Sequence, residues 1–392
     1  MSCRDQPRLS TDSSVRTEPH GVARSTNVRI GDRPFVPQGD RPPAVSTYLV
    51  TGGCGFIGSN FILRLLATRP DARVTNLDKL TYAGNPDNLR EVEDDPWYTF
   101  VPGDICDSQV VGPLMAEADY VVHFAAETHV DRSLMEPGSF IETDVFGTYT
   151  LLETARQNPR LQRFLHVSTD EVYGEVLATD SPSLEVDLFR PRSPYSASKA
   201  GGEMQCRAYV ETYGLPVVVA RPANNVGPRQ HVEKFVPLCA TNALQDLPLP
   251  IYGDGQQTRD RLFVEDHCEA LDLLLHEGVP GEAYNIGAGN QRPNLEVAEL
   301  ILDLLEKPRS LIRFVEDRAG HDRGYYMDSA KIKRLGWEPR HDLKASMEKT
   351  VEWYLQNRWW WEKVRGAYRF QEYYEQQYGR RLATAKPYAG AP

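Results

Sequence analysis

"VTGGCGFIG", Val50 to Gly58, is an apolar run cut by glycines and followed at once by a stretch with helical spacing, "FIGSNFILRLLATR" (56–69). Gly52, Gly55 and Gly58 therefore fall between a strand and a helix. Such a turn lets the backbone approach a pyrophosphate, which then sits on the positive helix N-terminus. Asp78 closes the next apolar run, "RVTNLD" (73–78), twenty residues beyond Gly58. A carboxylate there accepts hydrogen bonds from adenosine ribose hydroxyls and repels a 2'-phosphate, so NAD is expected over NADP. After the run "YTFVPGD" (98–104), Asp104 and Ile105 in "PGDI" (102–105) end a further strand, within reach of an adenine.

Outward from this loop, short apolar runs alternate with helical ones. "YVVHFAA" (120–126), "RFLHVST" (163–169) and "PVVVARP" (216–222) read as strands, "VFGTYTLLETARQ" (145–157) and "SKAGGEMQCRAYVETYG" (198–214) as helices. This pattern predicts an α/β fold: a Rossmann-type doubly wound parallel sheet covered on both faces, with a smaller C-terminal α/β substrate-binding domain. The expected dinucleotide domain spans 47–227 with a return segment over 260–286. The substrate domain takes 228–259 and 287–392. Residues 1–46, rich in Arg, Ser, Thr, Pro and Gly and without periodicity, are expected to form a mobile extension. The aromatic C-terminal stretch, from Trp353 to Tyr378, is expected to serve packing.

Composition excludes several classes. The chain has 392 residues, 41% hydrophobic and 25% charged, with net charge -11, which argues against a general nucleic-acid binder. No apolar run reaches the roughly 20 residues of a membrane helix, and no signal segment opens the chain. The six cysteines are scattered, without metal spacing, so no metal site and a reducing, cytoplasmic setting are expected.

Two motifs carry chemistry. "STDEVYG" (168–174) places Asp170 and Glu171 side by side at a strand end, behind the hydroxyl of Thr169. Neighbours on a regular strand face opposite ways, so the two acids share a site only where the chain turns. A plainer reading is a helix capping box, Ser168-x-x-Glu171. The second motif, Tyr195-Ser-Ala-Ser-Lys199, puts a phenol and an ammonium on one helix face. A lysine cation and a nicotinium charge would favour the phenolate of a group whose free pKa is about 10.

The glycine loop, "FAAETHVD" (124–131), "STDEVYG", "YSASK" (195–199) and "RPANNVGPRQ" (221–230) occur in the order of the extended short-chain dehydrogenase/reductases. From about Tyr48 to Tyr378 the chain closely resembles the dTDP-glucose 4,6-dehydratases. The Thr-Asp-Glu order at 169–171 is the most specific element, and "LPIYGDGQQTRDRLFVEDH" (249–267) and "DRAGHDRGYYMD" (317–328) support it. The resemblance implies NAD-dependent conversion of a nucleotide diphosphate-glucose to a 4-keto-6-deoxy sugar by C4 oxidation, loss of water across C5 and C6, and hydride return to C6. Tyr195 would take the C4 hydroxyl proton, assisted by Lys199. Glu171 would be the C5 base, Asp170 the acid for the C6 hydroxyl, and Thr169 the partner of the C4 oxygen. An acid donor at neutral pH needs a raised pKa, which burial and a like-charged neighbour supply.

By the same resemblance Phe56, Ile57, Lys79, Leu80, Thr81, Ala125, Ala126, Thr128, Thr143 and Asn225, with Tyr195 and Lys199, join the glycine loop, Asp78, Asp104 and Ile105 around NAD. His129, Thr169, Asn224, Lys234, Pro250, Tyr252, Arg259, Asn294, His321 and Tyr378 fall where the family contacts its substrate, with Arg259 suited to fork onto a pyrophosphate. The helices near 139–157 and 195–213 resemble those that pair such proteins as homodimers. Departures from the family pattern are Pro222 to Gly227 in place of Cys-Ser-Asn-Asn-Tyr-Gly, "HVEK" (231–234) in place of His-Pro-Glu-Lys, Ala319 in place of proline, and "SKAGGEM" after the tyrosine; none is a catalytic position. The rival readings are a UDP-glucuronate decarboxylase or UDP-hexose 4-epimerase of the same fold and, from another class, a non-catalytic NAD-sensing scaffold. Asp170 speaks against the decarboxylase, since it would repel a C6 carboxylate.

Overall fold

The computed structural model describes residues 45–388. The expectation of a mobile extension over 1–46 lies almost wholly outside them, and Ser46 is already the first residue of a strand. Seven strands form one parallel sheet: β1 (Ser46–Thr51), β2 (Ala72–Asp78), β3 (Tyr98–Pro102), β4 (Tyr120–His123), β5 (Arg163–Val167), β6 (Val217–Pro222) and β7 (Ala283–Ile286). Their order is β7-β6-β5-β4-β1-β2-β3, the doubly wound arrangement, with its direction of winding reversing between β1 and β4.

The inner strands are largely apolar because both faces are covered, whereas the edge strand β3 is mostly exposed. Tyr48 and Val50 of β1 pack with Phe61, Ile62, Leu165, Val218 and Leu271 on one face. Leu49 between them packs with Leu77, Val121, Leu151, Leu152 and Phe164 on the other. The helix Val264–Glu277 and β7 belong to this sheet assembly although they follow a long excursion of the chain.

That excursion and the C-terminal part build a second core. The helices Phe235–Leu244, Asn294–Leu304 and Leu343–Gln356 contribute Ala240, Ile301 and Met347, packed on Ile251 and Ile312 of two parallel strands. The aromatic tail packs beside it: Tyr354, Trp360, Trp361, Phe370, Tyr373 and Tyr378 form one buried cluster, whereas Trp359 and Tyr368 stay exposed. Trp360 Nε1 donates to Asn88 Oδ1 at 2.8 Å, tying this tail to the loop after β2.

One feature of the sheet places the chemistry. The glycine loop, Asp78, Asp104, Phe124–Thr128, Ser168–Glu171 and Asn224–Asn225 all stand at or just beyond carboxyl ends of parallel strands. They therefore reach one edge of the sheet, at the switch point where such folds take ligands.

Candidate active site

A cleft at this edge is lined by Gly52, Gly55, Phe56, Ile57 and Gly58, by Asp78, Lys79 and Thr81, by Asp104 and Ile105, and by Ala125, Ala126, Thr128, Thr143, Tyr195 and Lys199. Gly52 has φ +71°, and a Cβ there would lie 2.6 Å from Ala125 N. A Cβ on Gly58 would lie 2.5 Å from Gly52 O. The loop can pack this closely on the Phe124–Ala125 backbone and on itself only because these positions lack side chains. Asp78 holds it in shape: one carboxylate oxygen accepts from Cys54 N at 2.9 Å and the other from Leu80 N at 2.8 Å. Burial raises the Asp78 pKa, opposed by those two donors. Lys79 pairs with Asp104 at 2.5 Å on the same rim. A cradle closed to side chains, facing a helix N-terminus and followed by a fixed carboxylate, fits a dinucleotide.

Two residues expected here lie elsewhere. Leu80 has a left-handed backbone, φ +56°, and its side chain packs against the sheet core rather than lining the cleft. Asn225 lines the neighbouring cavity instead, with its amide donating to Ala223 O at 3.0 Å.

The Thr169 region is a turn, as two adjacent acids in one site require. β5 ends at Val167, and Asp170–Tyr173 form a single 3-10 turn capped by Thr169, whose hydroxyl accepts from Glu171 N at 3.3 Å. The cap is Thr169 and not Ser168, so the capping-box reading does not describe this turn. Glu171 faces the cavity, but Asp170 does not line it: its carboxyl is buried, 3.1 Å from the Thr169 hydroxyl. The Asp170 carboxyl lies against the Thr169 hydroxyl and close enough to Glu171 to feel its charge. Burial, then the Glu171 charge, pushes Asp170 up to about 8. Burial also raises Glu171, while Arg259, Arg318 and Lys234 pull it down. Burial thus raises both carboxyls, Asp170 further through the Glu171 charge, while the cations only partly oppose the rise at Glu171.

Tyr195 and Lys199 lie one turn apart on the helix Pro194–Tyr213, which Ser193 and Ser196 cap and Gly214 ends at φ +68°. Lys199 Nζ donates to Val167 O at 2.8 Å, and burial lowers its pKa. The expectation that lysine favours the phenolate meets a correction. Burial, then the Glu171 and Asp144 charges, hold Tyr195 well above its ordinary range. The protein's own groups therefore keep a neutral phenol.

The second cavity is walled by His129, Thr169, Asn224, Lys234, Pro250, Tyr252, Arg259, Asn294, His321 and Tyr378, all ten expected substrate positions. It shares Tyr195, Ser168, Thr128 and Lys234 with the first cleft. Lys234 is no surface charge: its Nζ donates to Thr128 O and Oγ1 at 3.2 and 3.1 Å, and burial lowers it to about 8. Arg259 donates to the Thr258 and Asp322 carbonyls at 2.7 and 2.9 Å. Burial makes the His129 ring neutral, with a pKa lowered to about 4.

Several wall residues escaped sequence reasoning. Arg261 donates to Asn294 Oδ1 at 2.6 Å, and burial and Arg259 bring it down to about 9. Arg318 pairs with the buried Asp131 at 2.7 Å. Ser168 Oγ, Asn224 Oδ1, Asn225 Oδ1, Gln230 Oε1 and Arg318 Nε are buried in this wall without a hydrogen-bond partner among the described residues. Orphaned polar atoms beside four cations suit a polar, anionic ligand.

The family described as GDP-mannose 4,6 dehydratase matches residues 49–350. The chain is 49% identical over 346 residues to the dTDP-glucose 4,6-dehydratase of Neisseria meningitidis serogroup B, covering 82% of this chain and 97% of that protein. The chain belongs to the dTDP-glucose 4,6-dehydratase family. A Haloferax volcanii relative, the low-salt glycan biosynthesis protein Agl12, is 50% identical over 307 residues, covering 78% of this chain and 98% of that one. A double mutant of DesIV, the dTDP-glucose 4,6-dehydratase of Streptomyces venezuelae, crystallised with NAD bound, shares 46% identity and a TM-score of 0.79, covering 81% of this chain and 99% of that one. Family membership carries the extended short-chain dehydrogenase/reductase fold with it, as the sheet order does independently.

Proposed function

We propose that the protein dehydrates dTDP-glucose to the 4-keto-6-deoxy sugar with NAD as a returning hydride carrier. The observation that carries this reading is the buried Thr169-Asp170-Glu171 turn, with two carboxyls side by side, next to Tyr195 and a dinucleotide cradle.

The chemistry supplied by bound NAD is a hydride acceptor for C4, a hydride donor for C6 and a positive ring charge. The residues of this chain do the proton work. Tyr195 takes the C4 hydroxyl proton; the ring charge of bound NAD would offset the burial that otherwise keeps it a phenol. Thr169 hydrogen-bonds the C4 oxygen and fixes its direction. The C4 ketone acidifies C5, and Glu171 removes that proton. Asp170 supplies the proton that leaves with the C6 hydroxyl as water. Arg259, Arg261, Arg318 and Lys234 suit the diphosphate, and Asn224, Asn294, Pro250, Tyr252, His321 and Tyr378 complete the walls.

The decisive measurement is isotopic. Substrate carrying deuterium at C4 should yield product with deuterium at C6, without stoichiometric NADH. Product that keeps its C6 hydroxyl, or label scrambled between molecules, would reject the dehydratase reading and favour an epimerase.

We further propose a homodimer. Ile141, Phe146 and Tyr149 on one segment, with Met204 and Tyr213 on the adjoining helix, leave large apolar side chains exposed at 42–55%. Apolar groups clustered on two neighbouring helices suit a self-complementary contact. Sedimentation should give a dimer, and Phe146→Glu a monomer; a monomeric parent protein rejects it. Among the described residues no helix is long and apolar enough to cross a membrane. Among the described residues five thiols are unpaired, at Cys54, Cys106, Cys206, Cys239 and Cys268, which fits the cytoplasmic setting we propose.

A further inference from the structure

Glu171 has a face the mechanism above does not use. Its Oε2 lies 3.3 Å from the hydroxyl of Tyr325, a buried residue outside both cavities. The same hydroxyl lies 2.8 Å from Asp322 Oδ2. Asp322 Oδ1 in turn lies 3.0 Å from Nη1 of Arg192, whose side chain is 46% exposed and also pairs with Glu175 at 2.7 Å. Arg259 fixes this row: its guanidinium stands over the Tyr325 ring at 4.4 Å, and its Nη2 holds the Asp322 carbonyl at 2.9 Å. A phenol bridging two carboxylates therefore runs from the site to a charged surface group.

We propose that Tyr325 and Asp322 form a proton relay that connects Glu171 to solvent during turnover. The proposal rests on the reading of Glu171 as the C5 base. A sugar placed with C5 against Glu171 covers the carboxylate on the cavity side, which leaves the Tyr325 side as the way out. Glu171 enters the step as an anion, takes the C5 proton and becomes an acid. That acid donates to the Tyr325 oxygen while Tyr325 passes its own proton to Asp322 Oδ2. At the phenol one O–H bond forms and one breaks. Tyr325 ends the step neutral, Glu171 is again a carboxylate, and Asp322 releases one proton to water beside Arg192. No electrons move. The reverse sequence brings a solvent proton to Glu171 for C5 when the hydride adds at C6. Burial and the Glu171 charge hold the Tyr325 pKa well above 10, so the phenol conducts without ionising.

The test reads label per product molecule, which does not depend on how fast a variant turns over. The parent protein, converting protiated dTDP-glucose in deuterium oxide, should place deuterium at C5 of most product molecules. Tyr325→Phe, which removes only the bridging oxygen, should retain substrate protium at C5 in most of its product. Asp322→Asn, a second cut further out, should shift the label the same way. Parent-level deuterium in either variant overturns the relay. Glu171→Gln separates the two claims: if it exchanges C5 at the parent rate, the base assignment itself falls, whereas blocked exchange there leaves the variants' label to decide the relay alone.

Discussion

Replacing Glu171 with Gln should lower product formation by about 10²- to 10⁴-fold, the usual contribution of a positioned acid or base. The substitution keeps shape and removes only the ability to take a proton, so C4 oxidation should persist while C5 stays unexchanged. Asp170→Asn should fall by a similar factor at a different point, leaving C5 exchange intact and the C6 hydroxyl in place. The two variants are thus told apart by NMR of recovered sugar in deuterium oxide, not by rate. The pH dependence carries the same logic. Asp170 must be protonated to act, and burial with Glu171 holds it at about 8. The elimination step should therefore be level up to about pH 7 and weaken as pH rises through about 8. Asp170→Asn should lose that alkaline fall. If the parent's elimination step instead strengthened above pH 8, Asp170 would be acting as a base and the roles would have to be exchanged.

Gly52→Val should abolish measurable NAD binding, a loss of at least about 100-fold, or roughly 2.7 kcal/mol. Two costs combine. A β-branched residue at φ +71° is strained by about 1–3 kcal/mol, and its Cβ would meet the Ala125 backbone at 2.6 Å. Backbone cannot yield as a flexible side chain does, so the loop must shift away from the pyrophosphate position. Calorimetric titration measures the loss, and a melting curve checks that the variant is folded. In the same titration the parent protein should prefer NAD over NADP by at least about tenfold if, as proposed, the Asp78 carboxylate that lines the cleft meets the adenosine ribose, where a 2'-phosphate would be repelled. Equal affinities for the two cofactors would remove that role from Asp78.

What the bare sequence makes legible, and what it hides, divides along a physical line. The parallel sheet is readable because its inner strands are short, largely apolar runs, and because glycines sit where β1 must turn. Tyr195 and Lys199 are readable because a helix fixes their spacing locally. Arg261, Arg318 and Asp131 look like any surface charges until distant segments bury them together, so no local pattern could single them out. Tyr325 lay in a stretch recognised as part of the family pattern, "DRGYYMD", yet nothing in that stretch says which of two tyrosines turns toward Glu171. Leu80 erred the other way: next to Asp78 and Lys79 it looks like part of the rim, but its positive φ rotates it into the core. That Asp170 and Glu171 sit on a 3-10 turn capped by Thr169, with Asp170 bonded to that cap, is visible only in the fold.

Thr169 ties two kinds of constraint to one oxygen. Its hydroxyl closes the turn by accepting from Glu171 N and lies against Asp170, while the same side chain lines the cavity. A drift toward valine would unwind the turn that aims Glu171 and at once strip the sugar-facing oxygen from the wall. Serine would preserve both. Evolution toward other sugar chemistries on this scaffold is thereby channelled: the acids beside it can be traded singly, but position 169 can change only among hydroxyl-bearing residues without the neighbourhood being rebuilt around it.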